Sequence, residues 1–361
     1  MDLHSNGAPT KPISDYGQLL NRKRGIVLLL MVLLVGVAFL SLSIGSSGIT
    51  PLEIFQCLLG SGDKQTETVL LNVRLPRIAT ATVVGAALAL SGCVMQSVLR
   101  NPLASASTLG VSQGAAFGAA LAIVGLDAGM QNAANAGAAI TIYSPQTVTI
   151  CAFLGGLATT AIVLGLSRLQ SITPSAMVLA GVALSSLFSG ATTLLQYFAD
   201  DVQVSTVVYW TFGDLGRPSW QEIALIGAIT FGAFLFFFYN RWNYNALSSG
   251  IQTARSLGVN VSLMSYLSMA VCALTAAVSV AFVGIISFVG LIAPHIMRRF
   301  VGTDYRFLLP CSALCGSILL LLGDLFSRTV LSPVILPIGA ITSFLGAPLF
   351  LYIVFRGEGL K

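Results

Sequence analysis

A chain of 361 residues that is 55% hydrophobic and only 9% charged, with a mean hydropathy of +0.88, is not a soluble domain, in which about 25% of residues are charged. It is a polytopic membrane protein. Its formal charge of +5 does not point to nucleic acid, because the basic residues sit in short loops between apolar runs. The six cysteines form no C-x-x-C pair, and all but Cys57 lie inside apolar runs, where they serve as small packing residues.

Residues 1–21 are polar and end in Arg22-Lys23-Arg24. The apolar run 26–44 is longer than the core of a signal peptide, about 7–15 residues, and lacks a clear A-x-A site, so it reads as a retained first helix. Residues 45–72 read as a loop with a short amphipathic piece near 52–59.

The stretch 74–118 organises the chain. It predicts a spanning helix over 78–99 and a second helix from Ala104 on, which carries Gly110, Gly114 and Gly118 at four-residue spacing. A stripe without Cβ atoms lets another helix approach closely, so that second helix faces protein. Pro76 suits a first helical turn, which sets Arg74 and Arg77 at the helix mouth, where the helix dipole disfavours cations. Something acidic, or lipid phosphate reached by snorkelling, must compensate them. After a polar region at 127–144, further spans follow at about 148–166, 176–198, 223–239 and from 263, then 307–326 and 338–355.

Residues 261–297 are almost uncharged and would extend roughly 55 Å as one helix, too long for a hydrocarbon core of about 30 Å. Gly284, Gly290 and Pro294 offer places to turn back, which brings the chain to about ten crossings. With that turn and a cytosolic N-terminus, Lys64, Arg74, Arg77, Arg217 and Arg328 are the basic residues left outside; without it the two sides carry equal basic charge. The positive-inside rule therefore favours the turn, with both termini cytosolic. No Asp, Glu, Lys or Arg falls mid-span, and no G-x-x-x-x-G-K-[ST], H-E-x-x-H or G-x-S-x-G motif occurs. A self-sufficient ion-coupled transporter, a nucleotide-binding chain and an intramembrane hydrolase are all disfavoured.

Eight blocks in order carry a resemblance over nearly the whole chain. They are RLPR (74–77), GAALALSGCVMQ (85–96), RNPLASASTLGVSQGA (100–115), LAGVALS (179–185), ARSLGVNV (254–261), FVGLIAPHIMR (288–298), GDLFSRTV (323–330) and LPIGAITSFLGAPLF (336–350). The sequence resembles the FecCD/BtuC-type permease subunits of binding-protein-dependent ABC importers for iron–siderophore complexes, haem and vitamin B12.

The resemblance implies an all-α type II importer permease fold of ten helices in the bacterial or archaeal cell (inner) membrane. It divides the chain into a cytosolic segment 1–25, one permease domain 26–356 and a cytosolic tail 357–361. It further implies a homodimer with the pathway at its interface, an extracytoplasmic binding protein, and two ATPase subunits that hold ATP and Mg, leaving this chain without cofactor, metal or catalytic residue. Arg74, Arg77 and Arg328 match the arginines that meet acidic residues of the binding protein; for Arg328 the alternative is a helix pair with Asp324. Within the polar stretch 241–260, residues Ala254, Arg255, Ser256, Leu257, Gly258 and Val259 match the element that couples to the ATPase, with Gly258 suited to end a short helix over 251–257. Asn101, Leu103, Thr173 and Ser175 match the cytosolic gate, and helix capping accounts for them equally well. The pathway lining includes Ser112, Gln113 and Ser185, and the cargo is a metal chelate, most simply an iron–siderophore complex.

Overall fold

The computed structural model describes residues 13–44, 53, 56–57, 63–128, 144–169 and 174–358. Residues 1–12, most of the amphipathic piece near 52–59 and of the polar region 127–144, Thr173, and the end of the tail lie outside the described residues. Every regular element among the described residues is helical, as a membrane demands of a chain that does not close into a barrel.

In chain order the helices are α1 (Ile13–Ser43), α2 (Lys64–Val98), α3 (Val111–Gly125), α4 (Pro145–Leu169), α5 (Pro174–Phe198), α6 (Asp201–Phe212) and α7 (Trp220–Tyr239). They continue as α8 (Arg241–Ser248), α9 (Ile251–Ser256), α10 (Val261–Val283), α11 (Val289–Val301), α12 (Tyr305–Thr329) and α13 (Ile338–Glu358). Seven of them (α1, α2, α4, α5, α7, α10 and α12) are long and apolar enough to cross a bilayer; α3 and the Ile338–Tyr352 part of α13 are shorter apolar helices. The half-length α11 completes the ten expected segments.

Most of α2 is buried, whereas α1 and α5 are largely exposed. Glycine sets how closely its neighbours approach. A Cβ at Gly85 would lie 2.5 Å from the Gly316 carbonyl oxygen of α12, and one at Gly92 would lie 1.9 Å from that of Gly290 in α11. Ser317 of α12 adds a hydrogen bond to the Thr82 carbonyl, 2.6 Å. In the same way Gly114 meets Gly155, and Gly118 meets Cys151, so α3 packs tightly on α4. The expectation that α3 faces protein holds for these two glycines. Gly110 instead precedes the helix, at φ +83°, because α3 starts at Val111 and not at Ala104.

Two other boundaries differ from expectation. The helix through Arg74 and Arg77 starts at Lys64, with residues 64–72 helical and not a loop. Pro76 has no N–H, and its ring crowds the carbonyl four residues back. Residues Leu70–Arg74 relieve this by widening into a π turn, with the Leu75 N–H bonded to the Leu70 carbonyl, so the helix passes through the proline. Helix α1 likewise extends back to Ile13, through the Arg22-Lys23-Arg24 cluster. Helix α6 was unforeseen, although its capping box, Asp200 with Gln203, stands in the sequence.

The long apolar run turns at Gly284, φ +84°, where a side chain would strike the Trp210 carbonyl at 2.5 Å. Gly290 and Pro294 lie inside α11. Helix α11 then runs alongside α2 in the same direction, first with Gly290 against Leu88 and Gly92, then with Arg298 on Gln96. Helix α12 runs opposite to α2, so the molecule has one end marked by Arg77 and Arg328 and another marked by Arg298. Helix α1 reaches both: Tyr16 meets Arg306, and Ser41 meets Arg328.

Replacing Gly92 by Ala is expected to cost about 1–3 kcal/mol or more, since two backbones would have to separate. Gly227→Ala, at a position with nothing within 4 Å, is expected to gain about 0.5–1 kcal/mol from helix propensity. Melting of the two purified variants in detergent checks both directions.

Candidate functional site

At the Arg328 end, α2 and α12 bring two arginines onto one carboxylate. Asp324 has no exposed surface. Its Oδ1 accepts from Arg77 Nε at 2.7 Å and its Oδ2 from Arg328 Nε at 2.9 Å. Arg77 also reaches Asp214, 3.3 Å away, in the loop after α6, and that carboxylate is half exposed. The end of α1 closes the group: Arg328 donates to Ser41 Oγ at 2.6 Å, and the Arg74 guanidinium donates to the Leu42 carbonyl. Arg74 and Arg77 are both buried. For Arg77 the acid that the sequence called for is thus present in the chain itself, and the helix pair of Arg328 with Asp324 forms. Charge-assisted bonds of this kind are about twice as strong as neutral ones, and burial makes the loss of one partner costly.

At the Arg298 end, α8 and α9 form the only long polar connection among the described spans. Gly258, at φ +83°, ends α9 with the Val259 N–H bonded to the Ala254 carbonyl at 3.0 Å and the Gly258 N–H bonded to that of Arg255 at 2.9 Å, as the sequence predicted. Ala254 is buried and anchors the turn, while Arg255, Ser256, Leu257 and Gly258 are exposed; Val259 is half-buried. Leu257 stands 69% exposed. Asn245 of α8 fixes this unit to α12 by accepting from the Tyr305 N–H and donating to Asp304. Burial would raise the Asp304 carboxyl, but hydrogen bonds from Arg306 and Asn245 outweigh it and hold the group below the usual carboxylate range.

This architecture has a counterpart among known proteins. The model of the FecCD transport family matches residues 28–356. The chain belongs to this family. It is 48% identical over 332 residues to a protein named as an ABC transporter permease of Methanocaldococcus jannaschii, covering 92% of this chain and 94% of that one. The hemin transport system permease protein HmuU of Yersinia pestis is 34% identical over 334 residues, with 92% and 95% covered. A solved structure described as an inward-facing conformation of a metal-chelate type ABC transporter superposes with a TM-score of 0.79 at 33% identity, covering 92% of this chain and 99% of that chain. The FecCD chain is therefore a multi-pass membrane permease of ABC importer complexes and is not itself the catalyst.

The remaining site residues of this FecCD chain fall into two groups. Asn101 accepts from the Leu103 N–H at 2.9 Å, closing a tight turn at the end of α2, and Leu103 and Ser175 are exposed. Met177, two residues along α5 from Ser175, shares a cavity of about 200 Å³ with Arg100 and Arg255, so the turn after α2, the start of α5 and the α9 segment meet at one end. Thr173 lies outside the described residues. Of the expected pathway residues, Ser112 is buried while Gln113 and Ser185 are half-buried. Gly110 touches Ser185, which brings the start of α3 against α5. Among the described residues no group of three His, Cys, Asp or Glu is placed to hold a metal. Sequence reasoning missed Asp214 and the pairing of Arg77 with Asp324, partners 137 and 247 positions away.

Asp324→Ala leaves two buried guanidiniums without their shared anion, at a cost of about 3–5 kcal/mol. The expected result is a lower melting midpoint in detergent than for Asp214→Ala, whose carboxylate is half exposed.

Proposed function

We propose that this chain imports an iron–siderophore complex as one half of a homodimer, with the pathway between the two copies, and that it is driven by two separate ATPase subunits. The observation that carries this reading is the exposed Arg255–Gly258 segment with Leu257 at its tip, on a family permease that has no phosphate-binding loop of its own. An apolar tip on a rigid short helix suits insertion into a groove of a partner. The similarity to a metal-chelate type transporter supports the cargo class; the hemin permease relative supports haem as the second candidate.

In this reading the Arg298 end and both termini face the cytosol. Arg22, Lys23, Arg24, Arg168, Arg241, Arg255, Arg298 and Arg299 belong to that end, against Lys64, Arg74, Arg77, Arg217 and Arg328 at the other, an excess of basic residues that agrees with the positive-inside rule. Arg74, Arg77 and Arg328 then meet acidic residues of an extracytoplasmic binding protein. Two of these cations already share one carboxylate, so a visiting acid adds charge-assisted bonds where positive charge is concentrated. Asn101, Leu103, Thr173 and Ser175 narrow the cytosolic exit, and Ser112, Gln113 and Ser185 line the path. Transport follows from a difference in binding free energy between outward- and inward-open states, set by ATP in the partner chains.

In proteoliposomes holding the complete transporter, Leu257→Asp is expected to abolish ATP-driven uptake while the membrane dimer remains intact on size exclusion; normal coupled uptake of ferric siderophore would reject the coupling role. Uptake of hemin and exclusion of ferric siderophores by the wild type would reassign the cargo. The double variant Arg74→Glu, Arg77→Glu is expected to bind the binding protein at least about tenfold more weakly, a loss of 1.4 kcal/mol or more. Unchanged affinity at physiological salt, in protein that elutes as the wild type does, would remove the arginines from docking.

A further inference from the structure

A cavity of about 290 Å³ opens at the Arg298 end, many times the roughly 30 Å³ share of one water. Its walls come from five elements: Ser97 at the end of α2, Arg100 in the turn that follows, Ser248 closing α8, Arg298 near the end of α11, and Thr303 and Tyr305 where α12 begins. Arginine is the charged residue type in this lining, and no carboxylate lines it. Among the described residues neither arginine forms an ion pair. Arg298 donates to the neutral amide oxygen of Gln96 at 2.5 Å. The nearby acid Asp304 is held by Arg306 and Asn245.

Two further observations mark the cavity as a place for a ligand. Ser97 is 6% exposed and lines the cavity facing the Tyr305 hydroxyl, with which its buried Oγ makes only a poorly aligned contact; a buried hydroxyl is seldom left so weakly bonded. Arg100 holds φ +46°, a left-handed conformation uncommon outside glycine, in a turn fixed by the Asn101 N–H on the Gln96 carbonyl. Two guanidinium forks, with hydroxyls from Ser97, Ser248, Thr303 and Tyr305 around them, match an anion with several oxygens better than a single-atom ion.

We propose that this cavity binds a phosphate-type oxyanion, supplied as free phosphate or as the phosphomonoester headgroup of an anionic lipid. The bound anion neutralises Arg100 and Arg298 and gives Ser97 a well-aligned acceptor beside Tyr305. It also links Ser248, two residues ahead of Gly250 and the coupling helix α9, to the Arg100–Leu103 turn, so occupancy stiffens the Arg298 end of the permease.

The test uses the full chain, purified and delipidated in detergent, titrated with inorganic phosphate at constant ionic strength against chloride and acetate. If the site takes free phosphate, phosphate raises the melting midpoint saturably, chloride and acetate do not, and Arg100→Gln weakens the apparent affinity by about tenfold or more. Arg100 is exposed, so this variant folds; Ser97→Ala provides a second variant that leaves the charge unaltered and is expected to weaken binding less. If the source is lipid, free phosphate has no effect, and native mass spectrometry of protein from nanodiscs of phosphatidylcholine with phosphatidic acid finds phosphatidic acid retained by the wild type and lost from Arg100→Gln. An equal response in wild type and Arg100→Gln, an acetate response equal to that of phosphate, or no response in either arm overturns the proposal.

Discussion

A carboxylate with no exposed surface, Asp324, stands between the guanidiniums of Arg77 and Arg328, and the ends of three helices are fixed relative to one another through it. Helix α2 supplies Arg77, α12 supplies Asp324 and Arg328, and the end of α1 is caught by Arg328 on Ser41. A buried ion group of this kind contributes little net stability compared with a well-packed apolar core, but it penalises heavily any arrangement that separates its members. Its role is to specify one register of α2 against α12. The glycine contacts at Gly85–Gly316 and Gly92–Gly290 enforce that register further down by leaving no room for a side chain.

This arrangement gives the permease a stiff centre and a less buried periphery. The helices α2, α10 and α12 have most of their apolar length covered within the single chain, whereas α1 and α5 do not. Lipid or a second copy must cover those faces, which agrees with a pathway formed between two chains. Cores in which helix backbones meet at glycine resist smooth deformation.

Charge divides the molecule along its axis. The Arg328 end pairs Arg77 and Arg328 internally with Asp214 and Asp324, while the Arg298 end leaves Arg100 and Arg298 facing a polar cavity lined without a carboxylate. The exposed Leu257 turn and the Arg100 turn share that second end.

Local information in the sequence was enough for the class of the protein, its helices and several of their ends. Apolar runs of sufficient length, a turn within 261–297 at Gly284, Gly290 or Pro294, and Gly258 where α9 stops are all read from neighbours a few residues apart, and hydropathy and backbone sterics act at that range. The recurring blocks carried the family. Tertiary structure decided the rest: that helix α2 passes through Pro76 by a π turn, that Gly110 stays outside α3, and that Arg77 finds Asp324 247 positions away. Those outcomes depend on which helix faces lie together. A pairing between distant side chains leaves no periodic trace in the chain, because its free energy exists only once both helices are in place.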